Sequence, residues 1–166
     1  MEISISQAKP GQYLTFLLKN QYYGVPIGTV REINRVCEIT PVPQTPHYVV
    51  GVINLRGKVI PVIDLRLKFG IQDAAHTKQT CIIVIEGENG QVGMIVDSVS
   101  EVLELKSEQI EPPPVLGDEA KLAFVIGMGK FDNRVIILIN IVLALSKESL
   151  MDVVEKAVVE KAVVAA

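Results

Sequence analysis

One 11-residue stretch of this 166-residue chain is written twice, and that duplication limits the possible folds more than any other feature. Tyr23-Gly24-Val25-Pro26-Ile27-Gly28-Thr29-Val30-Arg31-Glu32-Ile33 lies over Val92-Gly93-Met94-Ile95-Val96-Asp97-Ser98-Val99-Ser100-Glu101-Val102 at a constant offset of 69, with Gly, Val and Glu identical. Each copy leads to an Ile and a proline cluster: Ile39 with Pro41 and Pro43, Ile110 with Pro112, Pro113 and Pro114. Farther on, Val59–Leu65 matches Val135–Ile141 at offset 76. An apolar strand precedes both copies, Tyr13–Leu18 and Cys81–Ile85. A repeated order of parts at this length predicts two small subdomains built alike.

Of the 166 residues, 43 are Val or Ile. β-Branched side chains lose χ1 freedom in helices and pack well on pleated surfaces, so each unit is expected to be β-rich. Alternation, apolar runs and turn residues place strands at 12–19, 22–27, 34–39, 49–55 and 58–64, then a helical turn at Leu65–Phe69 closed by Gly70. The second half reads as strands at 80–86, 91–96, 100–106, 123–130 and 133–141. Hairpin turns are expected at Asn20-Gln21, Asn89-Gly90 and Asp132-Asn133, because Asn and Gly tolerate the positive φ of tight reversals. Five short strands per half suit a small curled barrel, which removes exposed edges. The expected domain plan is one unit over 1–145, with a first barrel at 12–70, a second at 80–145 and their edges exchanged. The polar stretch Gly70–Gln79 links the halves. Residues 146–166 read as a C-terminal helix and tail. Leu150, Val153, Val154, Ala157 and Val158 make one stripe there, which the five-residue VVEKA repeat then rotates away.

Net charge is −3 and there is no Trp, so the basic, aromatic face that nucleic acid requires is missing. The N-terminus has no basic region followed by an apolar stretch. The longest apolar run, Val135–Leu145, is too short to span a bilayer. A cytoplasmic protein is expected, with Cys37 and Cys81 as buried free thiols and no metal or other cofactor.

Catalytic signatures are also missing. Gly127-Met128-Gly129-Lys130 imitates a phosphate loop but has Phe124 and Phe131 where Gly and Ser or Thr are required, so the two glycines read as a strand bend or bulge. Asp64 and Asn140 hold matching repeat positions and read as structural groups at strand ends. Glu101, Glu104, Glu108 and Glu111 read as a solvated face. The exception is Asn54-Leu55-Arg56-Gly57, set between two apolar strands. Its counterpart around Lys130–Asn133 has no such sequence, so Arg56 answers a demand other than the fold's. Its planar fork suits a partner carboxylate.

GVINLRGKVIPVIDLRLKFG (Gly51–Gly70), YGVPIGTVREINR (Tyr23–Arg35) and the VGMIVDSVSEVLEL segment running to Pro114 are similar to the CheW family of bacterial chemotaxis coupling proteins. The resemblance spans residues 12–145 in matching order and spacing. It implies an all-β fold of two intertwined five-stranded SH3-like barrels with short helices. It also implies a non-catalytic adaptor, recruited to membrane-bound receptor arrays, that links methyl-accepting chemoreceptors to the regulatory domain of the histidine kinase CheA. Carried over by position, receptor contacts fall on Val30, Glu32, Ile33, Asn54, Arg56, Gly57, Val99 and Val102, and kinase contacts on Pro41, Val42, Glu111 and Leu116. Glu111 departs from the family pattern in charge, and Pro26 and Gly28 depart in type. A small ligand- or nucleic-acid-binding pair of barrels is the alternative, since barrels of this size serve both roles.

Overall fold

Three hairpins of the chain reverse through the same backbone conformation. Lys19 and Asn20 (φ 47° and 65°), Arg56 and Gly57 (53° and 85°), and Asp132 and Asn133 (50° and 63°) each place two successive residues in the left-handed region. That pair of angles matches the right-handed twist of the flanking strands. In the computed structural model, which describes residues 8–71, 75–87, 90–113 and 124–142, these turns join β1 (Gly11–Leu18) to β2 (Gln21–Pro26), β4 (Val49–Leu55) to β5 (Lys58–Asp64), and β10 (Val125–Phe131) to β11 (Arg134–Ile139). The other strands are β3 (Val30–Arg35), β6 (Cys81–Gly87), β7 (Gly90–Val96), β8 (Ser98–Leu105) and the two-residue β9 (Ile110–Glu111). A single helical turn, α1 (Leu65–Lys68), follows β5. The first reversal sits one residue earlier than Asn20-Gln21. Asn89 and the C-terminal helix expected over 146–166 lie outside the described residues.

The strands form two sheets, ordered β8-β1-β2-β11-β10-β9 and β3-β6-β7-β5-β4. The sheets do not follow the halves of the sequence. The β1–β2 hairpin from the first half completes the second-half sheet, and β6–β7 from the second half completes the first-half sheet, so whole hairpins are traded. Each traded hairpin is joined by a parallel ladder: Val62 pairs with Gly93 in one sheet and Leu138 with Gly24 in the other. Positions 62 and 138 are related by the offset of 76, and 24 and 93 by the offset of 69. One internal pseudo-symmetry therefore relates both seams.

The identical glycine of the repeat sits in this seam for steric reasons. A Cβ on Gly93 would lie 2.8 Å from Ile82 Cγ2, and one on Gly24 would lie 3.1 Å from Leu138 Cδ2. We expect Gly93→Ala to cost about 1–3 kcal/mol as an overpacked core position, and Gly24→Ala less, because Leu138 can turn aside. Urea unfolding midpoints of the two variants measure this.

Both sheets close into barrels. Thr40, beyond β3, exchanges two 2.9 Å backbone hydrogen bonds with Val52 of β4 at the opposite edge. In the other sheet β9, downstream of β8, pairs Ile110 and Glu111 with Gly129 and Met128 of β10. This short closing strand makes the sheet six-stranded, not five-stranded. It escapes a sequence reading because two residues carry no alternation.

Three apolar clusters follow from the pleat, which sends successive side chains to opposite faces. Tyr13, Leu103, Leu105, Ile126, Ile136 and Leu138 fill the barrel formed by the first sheet. Ile53, Ile60, Val62, Ile82, Val84 and Ile95 fill the other. A larger cluster that includes Leu14, Phe16, Val25, Ile63, Ile83, Ile85 and Met94 draws on both barrels and forms the core between them.

Asp64 caps α1, and Asn140 makes the same i to i+2 contact at the matching position. Asp64 Oδ1 accepts from the Arg66 N–H at 3.0 Å, and Asn140 Oδ1 accepts from the Val142 N–H at 3.0 Å. The Gly127 region carries the expected irregularity, a register shift between Val125 and Gly127. β3 runs over 30–35, not 34–39, because it is an edge strand pairing only with β6, and its Arg31, Glu32, Asn34 and Arg35 hide the period that a half-buried strand shows. The buried-thiol expectation is corrected: Cys37 lies past the end of β3 and is exposed, while Cys81 at the head of β6 is half-buried.

Candidate functional site

Arg56 is one of six non-glycine residues at positive φ among the described residues. Its place in the β4–β5 turn is held by the Gly57 N–H donating to Asn54 Oδ1 at 2.9 Å. The Asn-x-x-Gly spacing thus forms a side-chain-closed turn with Arg56 at its tip. The side chain is 76% exposed, and its guanidinium donates through Nη1 to Glu32 Oε2 on β3. Glu32 Oε1 also accepts from Asn34 Nδ2 at 3.1 Å. Because β3 and β4 are opposite edges of one sheet, this ion pair spans the closure of the barrel.

The Arg56 and then the Asn34 hydrogen bonds hold the Glu32 carboxyl below its ordinary value of 4.5, and the same pair raises Arg56. A depressed carboxyl pKa makes the pair fully present above the ordinary value and lost as pH falls through the lowered one. We expect carboxyl-carbon NMR of Glu32 to titrate below 4.5, and Arg56→Ala to move its midpoint up towards that value.

Four large hydrophobic side chains stand exposed among the described residues, and they are two repeat-related pairs: Ile33 (45%) with Val102 (46%), and Val59 (55%) with Val135 (53%). Ile33 and Val102 each directly follow, along the strand, the acid of an Arg–Glu contact. In the second barrel the acid is Glu101, the repeat partner of Glu32, met by Arg134 at 3.4 Å. There the arginine is docked, with its guanidinium 4.5 Å over the Tyr22 ring and 5.9 Å from Phe131. The turn position equivalent to Arg56 holds Asp132. Among the described residues, only the first barrel carries an arginine at this turn tip, and its side chain stays largely exposed while paired with Glu32.

Val30 and Val99 both pack, half-buried, against the core between the barrels. β3 and β8 therefore both start at the junction of the two barrels and carry Ile33 and Val102 outward from it. Asn54 and Gly57 are exposed with Arg56. Near Val99 the Cys81 sulfur is hydrogen-bonded to the Val99 backbone, while burial pushes the thiol pKa up.

The second predicted group divides. Pro41 is exposed beside the Thr40–Val52 closure, and Glu111 is exposed on β9, where Lys130 Nζ pairs with it. These two positions occupy corresponding closures of the two barrels. Val42, by contrast, is 9% exposed within the core between the barrels. Leu116 lies outside the described residues. A small cavity lined by Ala8, Ile110, Glu111, Pro112 and Ile126 opens beside the Glu111 end.

Composition gave no signal for one further cluster. Arg66 is 1% exposed with all five N–H donors used. Nε and Nη2 bond Asp64 Oδ1 and Oδ2 at 3.0 Å each, and Nη1 reaches Asp97 Oδ1 at 3.0 Å and the Ala75 carbonyl at 2.9 Å. The second Nη2 contact is His76 Nδ1 at 3.2 Å. Asp64, first among these partners, raises the Arg66 pKa further. The available signal was the Asp-Leu-Arg run after an apolar strand, where an arginine between two leucines is unexpected on a buried element.

Among the described residues no His, Cys, Asp and Glu side chains gather in a metal-binding group, and no helix is long and apolar enough to cross a membrane. A family model described as the CheW-like domain matches residues 12–149. The chain is similar to the chemotaxis protein CheW of Klebsiella aerogenes, 38% identical over 139 residues and covering 84% of each chain. The chemotaxis protein CheW of Helicobacter pylori is 35% identical over 138 residues, 82% of each. Among solved structures, the scaffolding protein TtCheW from Thermoanaerobacter tengcongensis superposes with a TM-score of 0.73 at 41% identity, covering 79% of this chain and 89% of that one. These relatives are named as chemotaxis and scaffolding proteins, not as enzymes. With two interlocked SH3-like barrels, and with the match running through both copies of the repeat, the chain belongs to the CheW family of chemotaxis scaffold proteins.

Proposed function

We propose that this chain is a non-catalytic adaptor that holds the helical tip of a chemoreceptor on the face around Arg56 and the CheW-like regulatory domain of the kinase CheA at its barrel closures. The observation that carries the reading is the Arg56 turn: a charged side chain held at positive φ, 76% exposed and tethered to Glu32, with Ile33 exposed at the next position of the same edge strand. A barrel needs none of this, since the repeat-related turn closes without it. An exposed arginine fork and an exposed aliphatic side chain on one barrel edge suit an amphipathic helix that offers one carboxylate and a few apolar anchors. Val30, Glu32, Asn54, Gly57, Val99 and Val102 complete the receptor side. Pro41 and Glu111, at equivalent closures of the two barrels, are the exposed kinase-side positions. Recruitment to membrane-bound receptors follows from the receptor contact, and contacts of this size build stable assemblies through multivalency.

The informative variants are Arg56→Ala and Ile33→Glu. Both change exposed side chains, so folding is expected to stay intact while capture of a receptor-tip fragment weakens about tenfold. Val30→Glu is unsuited to this purpose, because Val30 packs on the core and a carboxylate there would cost stability. Capture of the fragment by both variants at wild-type strength would sink the assignment.

A further inference from the structure

The repeat separates what a barrel unit needs from what it does not, and the Arg66 cluster falls in the second class. At the offset of 76 Arg66 becomes Val142, and at the offset of 69 Asp97 becomes Gly28. Both barrels close and both pack, yet one has this cluster and the other has no equivalent.

The position of Asp97 is the informative part. It is the single residue between the end of β7 in one sheet and the start of β8 in the other. Three directed bonds hold it: its N–H donates to Leu17 O at 3.1 Å, its Oδ2 accepts from the Lys19 N–H at 2.7 Å, and its Oδ1 accepts from Arg66 Nη1. Leu17 and Lys19 belong to the β1–β2 hairpin of one barrel, and Arg66 follows β5 of the other. The related crossing, from β2 to β3 through Ile27–Thr29, has an exposed Gly28 and two bonds that stay within the crossing itself, Thr29 Oγ1 to Pro26 O and the Val30 N–H to Ile27 O, with none given to the other barrel.

We propose that Asp97, held by Arg66, is a positioning residue for the partner face: it fixes where β8 begins and hence where Val99 and Val102 stand relative to Arg56 and Ile33. This deepens the adaptor reading and rests on it. β8 becomes the fixed wall of the face and β3 the adjustable one. Positioning of this kind moves affinity at the face without moving affinity at the distant closures.

The test is Asp97→Ala in the full chain, with two binding measurements and one of local order. Affinity for a receptor-tip fragment is expected to fall about tenfold, while affinity for the kinase regulatory domain stays within about twofold. Amide exchange should rise at Val99–Val102 and stay unchanged at Ile33–Arg35. Unchanged receptor affinity in a folded variant overturns the proposal, as does a parallel fall of both affinities with faster exchange in both sheets. If the wild-type chain captures neither partner, the adaptor reading fails, and the exchange pattern alone judges Asp97: a rise confined to β8 upholds positioning, and no rise overturns it. Should Asp97→Ala not fold, Asp97→Asn, which keeps one acceptor oxygen, is judged by the same results.

Discussion

Replacing Arg66 with Ala is expected to lower the unfolding free energy by about 3–5 kcal/mol, the range for removing one partner of a buried ion pair. The side chain is 1% exposed and Asp64 is 5% exposed, so truncation leaves a buried carboxylate without its counter-charge. The cost then comes from the stranded Asp64, whose two oxygens each lose a 3.0 Å charge-assisted bond. Asp97, whose side chain is 36% exposed, loses less because water can reach it. Guanidinium unfolding should show a lower midpoint at unchanged slope, since the unfolded state exposes the same surface. Arg66→Lys should fall between, because an ammonium keeps the charge but cannot reach Asp64, Asp97, the Ala75 carbonyl and His76 from one planar fork. A midpoint for Arg66→Ala within experimental error of wild type would mean that the chain relaxes to hydrate Asp64.

Gly51→Ala should be comparably damaging for a different reason. Gly51 has φ 148°, and a Cβ there would lie 2.1 Å from the Thr40 carbonyl oxygen and 2.7 Å from its carbon. Both are backbone atoms of the bridge that closes the β3–β4 edge, so no rotamer change relieves the overlap. The Thr40–Val52 bonds must break or β4 must shift, at a cost of about 3 kcal/mol or more. Gly28→Ala is the matched control. Its Cβ would meet nothing within 4 Å, and stability should stay within about 0.5 kcal/mol. Thermal melts of the pair read the difference directly. Because Pro41 follows Thr40, kinase-domain affinity should fall in Gly51→Ala and not in Gly28→Ala.

The repeat made most of the fold legible because it is a local property copied. Gly24 and Gly93 matched as letters and proved to be the two positions where a parallel seam leaves little room for a Cβ. Asp64 and Asn140 matched and proved to accept the same bond, from the backbone N–H two residues on. Arg56 stood out because its counterpart turn lacked it, and the structure gives it an exposed guanidinium and an acid partner on the facing edge. Where β3 begins was less legible, since an edge strand with polar side chains on both faces has no period to read. Cys37 was misjudged, and the burial of Val42 was not legible, for one reason: both lie in irregular chain beyond β3, where no periodicity says which way a side chain turns.

What the sequence settled alone is therefore the unit: most of its strands, its reversals at residues that accept positive φ, the matched polar groups at strand ends, and the fact that it occurs twice. What only the tertiary structure decided is how the two units combine. A duplicated chain offers each hairpin two near-equivalent sheets, and alternation cannot choose between them, because both present the same apolar face at the same period. The choice is made by short crossings, Ile27–Thr29 and the single residue Asp97, which carry the chain from one barrel to the other before a hairpin can close on its own half. That exchange creates the core between the barrels, buries Arg66 against carboxylates 2 and 31 residues away, and brings both copies of the repeated edge strand out from one junction.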